Sequence, residues 1–263
     1  MPRRSRVSAA LLGLLALAVP LLLPLGGASS AATGATTAAA PDAVIGTRVL
    51  GTTRGDRKIR AYHLGEPGTT KVVLISTMHG NEGATRFILR SLVEGKPVHG
   101  IDLWVVPVYN PDGLAAGTRK NGRGVDLNRN YPYRWVDLDG NYESGRRAAS
   151  ERETRAMMSF LRDVRPRWLL SFHQPLRGVD TDTKRPKFAR RVARVLDLPR
   201  KTLDCGGVCH GTMTGWYNHE FAGTALTVEY GAHPSRKMMR VLAPRRVLKV
   251  FGAWRGTPQA EPL

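Results

Sequence analysis

Four apolar runs rich in β-branched residues each end near a polar residue, and this pattern limits the possible folds more than any other feature. The runs are Val72 to Ile75, Leu103 to Val108, Trp168 to Phe172 and Ala225 to Val228. Continuous apolar runs of this length are typical of strands buried on both faces of a mainly parallel sheet. Amphipathic patterns at 151–161 and 186–198 predict helices that cover such a sheet. The sequence therefore predicts a three-layer α/β/α sandwich with a mixed, mainly parallel central sheet.

Polar elements follow these four runs, one after each. They are His79-Gly80-Asn81-Glu82, Asn110-Pro111-Asp112-Gly113, His173 and Glu229. Ligands of α/β sheets bind at the carboxyl ends of the strands. We therefore expect these elements, which are distant in sequence, to converge on one crevice.

A catalytic zinc site is the chemistry that such a convergence favours. His79 and Glu82 are three residues apart, so a helix starting at Gly80 would place both side chains on one side of its first turn. His173 is the third candidate ligand, and its alternative role is that of a hydrogen-bonded core histidine. Two histidines and one carboxylate leave one tetrahedral position of zinc open for water. One Zn²⁺ per chain is expected.

Glu229 is the candidate general base for hydrolysis. It ends an apolar strand, where a carboxylate is unfavourable unless it has a partner. A role beside the metal explains its position better than an isolated salt bridge does. A carboxylate there can take a proton from water as the water attacks a carbonyl. The arrangement predicts amide hydrolysis.

A glycine-rich polar segment, residues 119–131, supplies candidate substrate ligands. Alone it could be a basic surface loop. Beside zinc, Arg119 can stabilise a developing oxyanion, whereas Asn128 and the forked guanidinium of Arg129 can bind a carboxylate. A terminal carboxylate held next to a hydrolytic metal indicates an exopeptidase.

The amino-terminal segment predicts export. Three arginines precede an apolar run, Leu11 to Leu25, and small residues follow it. This order is typical of a secretory signal peptide at 1–32, although an uncleaved anchor is the alternative. Residues 33–42 are predicted to be a flexible linker and 43–263 the catalytic domain. The expected location is extracellular, with possible association with the cell wall and no permanent membrane span once the leader is cleaved.

The chain is strongly basic, with a formal net charge of +19. Its basic residues are densest at 185–201 and 236–249. Each cluster could be a solvated helix face, but together they predict attraction to polyanions such as cell-wall polymers. Nucleic acid is not an expected partner, because the sequence contains no recognisable nucleic-acid-binding motif.

Only two cysteines occur, Cys205 and Cys209. A pair this close could form a small disulfide loop in an oxidising compartment, with two intervening glycines allowing the bend. Free thiols and a metal pair are the alternatives.

Taken in order, these motifs resemble the zinc carboxypeptidases of the funnelin type, which include the digestive carboxypeptidases. The resemblance covers roughly Val72 to Gly231 and rests on four elements: His79-x-x-Glu82, Gly124-Val125-Asp126-Leu127-Asn128-Arg129-Asn130, His173 and Glu229. It implies zinc bound by His79, Glu82 and His173, Glu229 as general base and acid, Arg119 on the oxyanion, and Asn128 with Arg129 on the substrate carboxylate. It also implies that Asp126 orients the first zinc histidine.

The sequence departs from the digestive enzymes at two places. Asn81 replaces the arginine that precedes their metal-binding glutamate, and Gly207 occupies the place of their mobile tyrosine. Short loops and the export signal look more like the bacterial murein peptide amidases and γ-D-glutamyl-diamino acid peptidases. This resemblance implies cleavage of the γ-D-glutamyl-diaminopimelate bond in wall peptides. The alternatives are a general metallocarboxypeptidase of ordinary peptides and a non-catalytic wall-binding protein.

Overall fold

The computed structural model describes residues 43–203 and 205–256. The predicted signal peptide, 1–32, and linker, 33–42, lie outside the described residues. The strands are β1 Val44–Thr52, β2 Lys58–Gly65, β3 Lys71–Ser76, β4 Val98–His99, β5 Asp102–Val106, β6 Trp168–His173, β7 Arg177–Asp180, β8 Arg200–Lys201, β9 Thr224–Tyr230 and β10 Trp254–Arg255. The α-helices are α1 Arg86–Val93, α2 Pro111–Ala116, α3 Arg152–Val164, α4 Pro186–Leu196, α5 Met213–Glu220 and α6 Ala243–Val250.

Eight of these strands form one mixed sheet in the order β1-β2-β5-β3-β6-β9-β7-β8. The central strands β5, β3, β6 and β9 run parallel to one another, whereas β1, β2 and β7 pair antiparallel with their inner neighbours. Strands β4 and β10 form a separate two-stranded sheet. The predicted mixed sheet with a parallel centre is confirmed.

Both faces of the sheet are buried, as the apolar runs predict. Val72 and Leu74 of β3 pack in a core with α1, α4 and α6, whereas Val73 and Ile75 pack in a second core with α3 and α5. Successive side chains of a strand point to opposite faces, so a strand between two helical layers must be apolar at every position. This arrangement is the predicted α/β/α sandwich. Of the described helices, none has the length and apolar character needed to cross a bilayer.

The strand order creates a crevice at the carboxyl end of β3. The chain leaves β3 toward β5 on one side, and β6 lies on the other side. Connections that diverge in this way leave an opening above the strand where the direction changes. The segment that follows β3 carries His79, and β6 ends with His173.

Several element boundaries differ from the sequence-based prediction. Strand β5 ends at Val106, because Pro107 has no N–H with which to continue a sheet ladder. His173 and Glu229 lie inside the ends of β6 and β9 rather than after them, and they are paired in the parallel register.

The carboxyl-terminal helical segment changes its hydrogen-bonding pattern just before Pro244. A π-helical segment, Met238–Leu242, precedes α6, and Pro244 lies in the first turn of α6. Proline cannot donate to the carbonyl four residues earlier, which is that of Arg240. The hydroxyl of Ser91 donates to this carbonyl oxygen instead, at 2.7 Å.

Candidate active site

His79 and Glu82 occupy a turn between β3 and α1. The expected helix start at Gly80 is wrong, because a 3₁₀ turn begins only at Gly83 and α1 begins at Arg86. The N–H groups of Gly80 and Asn81 donate to the carbonyl oxygens of Arg119 and Thr118, at 3.4 and 3.1 Å. These bonds fix the turn to the segment that carries Arg119.

Two neighbouring glycines let α2 approach this turn. A side chain at Gly80 would place its Cβ 1.9 Å from the carbonyl carbon of Gly113. The Asn110 side chain caps α2 by accepting a hydrogen bond from the Gly113 N–H, and its Nδ2 donates to the carbonyl of Met78. The Asn110 to Gly113 element therefore supports the turn from behind and contributes no ligand of its own.

Three buried side chains converge above β3 and β6. His79, Glu82 and His173 place their ligand atoms within 4.8 Å of one another, and each residue is less than 5% exposed. The Nδ1 atoms of the two histidines are 3.3 Å apart. Each lies against one oxygen of the Glu82 carboxylate, at 2.7 Å for His79 and 2.9 Å for His173.

The orientation of both imidazole rings is fixed on the side away from this centre. Nε2 of His79 lies 3.1 Å from a carboxylate oxygen of Asp126, and Nε2 of His173 lies 2.8 Å from the hydroxyl of Ser171. A protonated Nε2 leaves the Nδ1 lone pair available to a metal. Asp126 thus contacts His79, as the resemblance implied, and its orienting role stays a prediction. Ser171 was not foreseen, although its position two residues before His173, on the same face of β6, was a usable signal.

This donor set fits zinc. Two nitrogen ligands at about 2.0–2.1 Å from a tetrahedral zinc are roughly 3.3 Å apart, which is the separation found here. Two imidazoles and one carboxylate also match the ligand count of catalytic zinc sites, where a position stays open. Zinc would be held by Nδ1 of His79, Nδ1 of His173 and the carboxylate of Glu82.

The electrostatics favour a charged carboxylate at the centre. Burial would raise the pKa of Glu82, but the facing imidazoles of His79 and His173 outweigh burial and hold that pKa far below its usual range. Burial would lower the pKa of His79, and the carboxylates of Glu82 and Asp126 overcome this and raise it to about 9. In the metal-free protein, His79 therefore carries a proton that a cation would replace.

Glu229 lies beside this centre with one unpaired oxygen. It faces His173 in the β6–β9 register and is 8% exposed. Its Oε2 has no hydrogen-bond partner among the described residues. Burial raises its pKa, and Glu82 adds to the rise while His173 opposes it. A buried carboxylate with a raised pKa and a free oxygen is suited to accept a proton.

The predicted substrate ligands also border the site. Arg119 binds Asp126 through Nε and Nη2, at 2.9 and 2.8 Å, and its Nη1 lies 3.5 Å from Glu82. Oδ1 of Asn128 accepts from the Met213 N–H at 3.0 Å, and its Nδ2 has no hydrogen-bond partner among the residues that the structure describes. Arg129 is buried, and its Nε has no partner within the described part of the chain.

A tyrosine not identified from the sequence packs on both arginines. The guanidinium carbons of Arg119 and Arg129 lie 5.3 and 4.8 Å from the centroid of the Tyr142 ring, within cation–π distance. Tyr142 ends a short 3₁₀ turn, Gly140–Tyr142, and no periodic pattern in the sequence indicates that it lies near the arginines. Two other tyrosines have different contacts: Tyr217 donates its hydroxyl to the carbonyl of Pro166, and Tyr230 packs in the core that contains α1.

Cys205 and Cys209 are joined by a disulfide bond. Gly207, at the position of the expected mobile tyrosine, lies inside this loop and is exposed. The carbonyl of Gly211, which follows the loop, accepts from the N–H of Tyr131. The disulfide therefore closes a loop immediately before the segment that contacts Asn128.

Gln174 connects the metal-binding turn to the segment that carries Glu229. Its N–H donates to Glu82, and its Oε1 accepts from the N–H of Ala84 at 3.1 Å. Its Nε2 donates to the carbonyls of Gly231 and Ala232, at 3.1 and 3.0 Å. The buried side-chain amide of Gln174 thus links the metal-binding turn to the segment after Glu229. No sequence pattern indicated this role.

We expect Gln174→Met to raise the zinc dissociation constant by roughly tenfold, because residues that position metal ligands typically contribute that much to metal affinity. Methionine keeps the side-chain volume and removes the three side-chain hydrogen bonds. Competition with a fluorescent chelator measures the constant. Asn81→Met is the control, because Asn81 lies on the same turn but is exposed. Equal zinc affinity in both variants would refute a positioning role for Gln174.

The sequence profile of zinc carboxypeptidases, the Peptidase_M14 family, matches residues 35–175, more than half of the 263-residue chain. The chain belongs to the zinc carboxypeptidase family. The matched segment includes five of the residues at the site of this zinc carboxypeptidase: His79, Glu82, Asp126, Arg129 and His173. Glu229 lies beyond it, and the catalytic and binding roles of all these residues stay predictions.

Curated relatives of this chain include murein peptide amidases. Murein peptide amidase A of Escherichia coli strain K12 is 30% identical over 162 residues, which are 55% of this zinc carboxypeptidase and 64% of that relative. Murein peptide amidase A of Vibrio campbellii is 30% identical over 141 residues, or 48% and 56% of the two chains. Both matches span less than two thirds of the relative.

Solved structures show the same fold. The crystal structure of murein-tripeptide amidase from Escherichia coli O157 has a TM-score of 0.66 at 21% identity, covering 81% of this chain and 94% of that chain. Carboxypeptidase A from Helicoverpa armigera has a TM-score of 0.68 at 18% identity, covering 80% and 68%. The predicted zinc carboxypeptidase-like α/β fold is confirmed.

Proposed function

We propose that the protein is an exported zinc metallopeptidase that hydrolyses the amide bond next to a free carboxylate in murein-derived peptides. The proposed scissile bond joins γ-D-glutamate to diaminopimelate. One observation carries the proposal: a histidine-glutamate-histidine centre lies beside a buried carboxylate with a free oxygen and a buried guanidinium. Export is proposed from the leader sequence, and a disulfide is consistent with an oxidising compartment.

Each residue of the site has a distinct task in this reaction. Zinc, when bound, acts as a Lewis acid and lowers the pKa of a coordinated water to about 7. Glu229 takes a proton from the attacking water and delivers it to the leaving nitrogen. Nη1 of Arg119 donates to the developing oxyanion, since Nε and Nη2 already bind Asp126.

The carboxylate of the substrate would bind Asn128 and Arg129. Nδ2 of Asn128 makes no hydrogen bond to the described residues, and the forked guanidinium of Arg129 matches the geometry of a carboxylate. These groups hold the peptide end so that the preceding amide lies over the metal centre. Correct placement of a substrate can itself contribute several orders of magnitude to the rate.

The murein substrate is proposed on the names of the most similar curated relatives, which are murein peptide amidases. A general metallocarboxypeptidase is the second candidate, because Asn128 and Arg129 can bind the carboxylate of any peptide. The two candidates are distinguished by comparing hydrolysis of a muropeptide that contains γ-D-glutamyl-diaminopimelate with hydrolysis of an N-blocked dipeptide.

We expect the zinc-loaded protein to cleave the muropeptide with a kcat/KM at least about 100-fold above that for the dipeptide, and chelation should abolish both reactions. Mass spectrometry of the products identifies the bond that is cut. A preference for the dipeptide would establish the general carboxypeptidase instead. Cleavage of neither substrate by protein with stoichiometric zinc would favour the non-catalytic wall-binding protein.

A further inference from the structure

A second region of concentrated positive charge lies outside the active site, on the helical layer formed by α1, α4 and α6. Segments 183–201 and 234–255 contain eight and seven basic residues, and Asp197 is their one acidic residue. Asp197 is already paired with Arg246, at 3.3 Å. Helices α4 and α6 pack against each other, which brings the two basic segments together.

Both helices direct their cations to solvent. On α4 the apolar residues Phe188, Val192 and Leu196 face the core, and the basic residues occupy the opposite side. On α6 Arg245 and Lys249 are likewise exposed, whereas Val247 and Leu248 are buried. We call these exposed cations the basic face: Lys187, Arg190, Arg191, Arg194, Arg245 and Lys249.

A cleft of about 520 Å³ adjoins the basic face at Arg245. We call it the β10 cleft. Its cations are Lys96, Arg245 and Arg255, and its apolar wall includes Leu248, Ala253 and Trp254. No carboxylate lines it. Three cations that share a recess without a counter-charge repel one another, so a bound anion would stabilise them.

Arg255 is held in place in this cleft. Its Nη1 donates to the carbonyl of Ser91 at 2.7 Å. Gly95 provides the room, because a Cβ there would lie 2.4 Å from that Nη1. Burial lowers the pKa of Arg255, and the nearby charge of Arg245 lowers it further. The guanidinium is therefore an ordered donor and not a freely moving surface side chain.

The apolar wall of the β10 cleft indicates which chemical group lies next to the anionic group in the ligand. Trp254 is 40% exposed and stacks on His99, with the ring centroids 5.8 Å apart. An exposed indole face packs well against the C–H face of a sugar or polyol. The cleft thus presents cations for an anionic group and a flat apolar surface for the carbon skeleton next to it.

We propose that the β10 cleft and the basic face together bind a linear phosphodiester polymer of sugar or polyol units. A phosphodiester carries its charge on two non-bridging oxygens within the chain itself, so successive groups can reach Lys96, Arg245 and Arg255 while the sugar or polyol between them lies on the apolar wall, whereas a carboxylate in a polyacid is a branch off its backbone. A flexible chain can enter a recess and continue across α6 and α4. A bilayer is a poorer fit, because a flat surface contacts protruding side chains and not a cleft.

Binding to poly(glycerol phosphate) of about 20 units tests this proposal without reference to hydrolysis. At about 50 mM salt, Lys96→Ser/Arg245→Ser should weaken binding roughly 10- to 30-fold, since each cation near an anionic surface contributes about fivefold. The slope of log Kd against log salt should become shallower by roughly two. Trp254→Ser should weaken binding about threefold to tenfold without changing that slope.

A second double variant separates the cleft from the basic face. Arg190→Ser/Arg194→Ser should weaken binding of the 20-unit polymer severalfold and leave binding of a four-unit oligomer unchanged, because the short chain fills only the cleft. Arg54→Ser/Arg165→Ser removes the same charge from the loop after β1 and the end of α3, and should change either constant less than about threefold. Thermal unfolding midpoints confirm that every variant is folded.

Three results would overturn the proposal. Equal losses in the cleft variant and the Arg54/Arg165 control would show that net charge alone drives binding. Equally tight binding of poly-γ-glutamate at matched charge would remove the preference for phosphodiesters. Tighter binding to vesicles containing anionic phospholipid than to the polymer would assign this surface to a membrane.

Discussion

Glu229→Gln should lower kcat/KM for the muropeptide by about 10³-fold while zinc stays bound at full stoichiometry. Glutamine has the shape of glutamate, so the packing of β9 is preserved, but it cannot take up a proton. Loss of a general base typically reduces rates by 10²- to 10⁴-fold. The unpaired Oε2 of Glu229 is the atom that would take this proton, and the expected loss of about 10³-fold lies in the middle of that range.

Glu153→Gln is a matched control for this experiment. Glu153 is also a buried glutamate with an unpaired oxygen, and burial raises its pKa too, but it lies on α3 against Asn121. Its replacement should change kcat/KM less than about threefold. Equal losses in the two variants would trace the effect to a buried carboxylate in general, and full turnover by Glu229→Gln would remove Glu229 as the base.

Arg129→Lys should lower kcat/KM by roughly 100-fold for a substrate with a free carboxylate, mainly through KM. Lysine keeps the buried charge beside Asp126 but loses the forked donor geometry that binds two carboxylate oxygens. Hydrogen bonds to charged groups contribute about 1.5–3 kcal/mol each, so the loss of one or two gives a decrease of this size.

The same peptide with an amidated carboxyl end is the control substrate. It cannot form the ionic contact with Arg129, so its already slow hydrolysis should change less than about threefold. The ratio of the two kcat/KM values should therefore fall by about the full 100-fold. A parallel fall for both substrates would mean that Arg129 maintains the structure of the site and does not recognise the carboxylate.

The sequence was sufficient to predict the fold class and the groups that meet above β3. Apolar runs mark strands buried on both faces, and residues at their ends must share one edge of the sheet. For this reason His79, Glu82 and His173 could be placed together without coordinates. Their mutual distances confirm that the three side chains share one centre.

Contacts between distant segments that no strand end or motif marks were not predictable. Gln174 acts through backbone groups more than 50 residues away, and Tyr142 reaches the two arginines from a loop. The turn at Gly80 was mistaken for a helix start, because its hydrogen bonds run to residues 118 and 119 and not along the local chain. The basic clusters were visible in the sequence, but the cleft with Lys96 and Arg255 requires the packing of α6 against α1.

The close approach of Gly80 to Gly113 limits how this site can be redesigned. Position 80 lies between two metal ligands and would be a natural target for laboratory evolution, yet even a methyl group there would overlap the backbone of α2. Random mutagenesis at position 80, followed by selection for active enzyme, should therefore recover only glycine. New substrate preferences must therefore be sought on the opposite wall, where the segment after the disulfide loop supplies side chains that can vary.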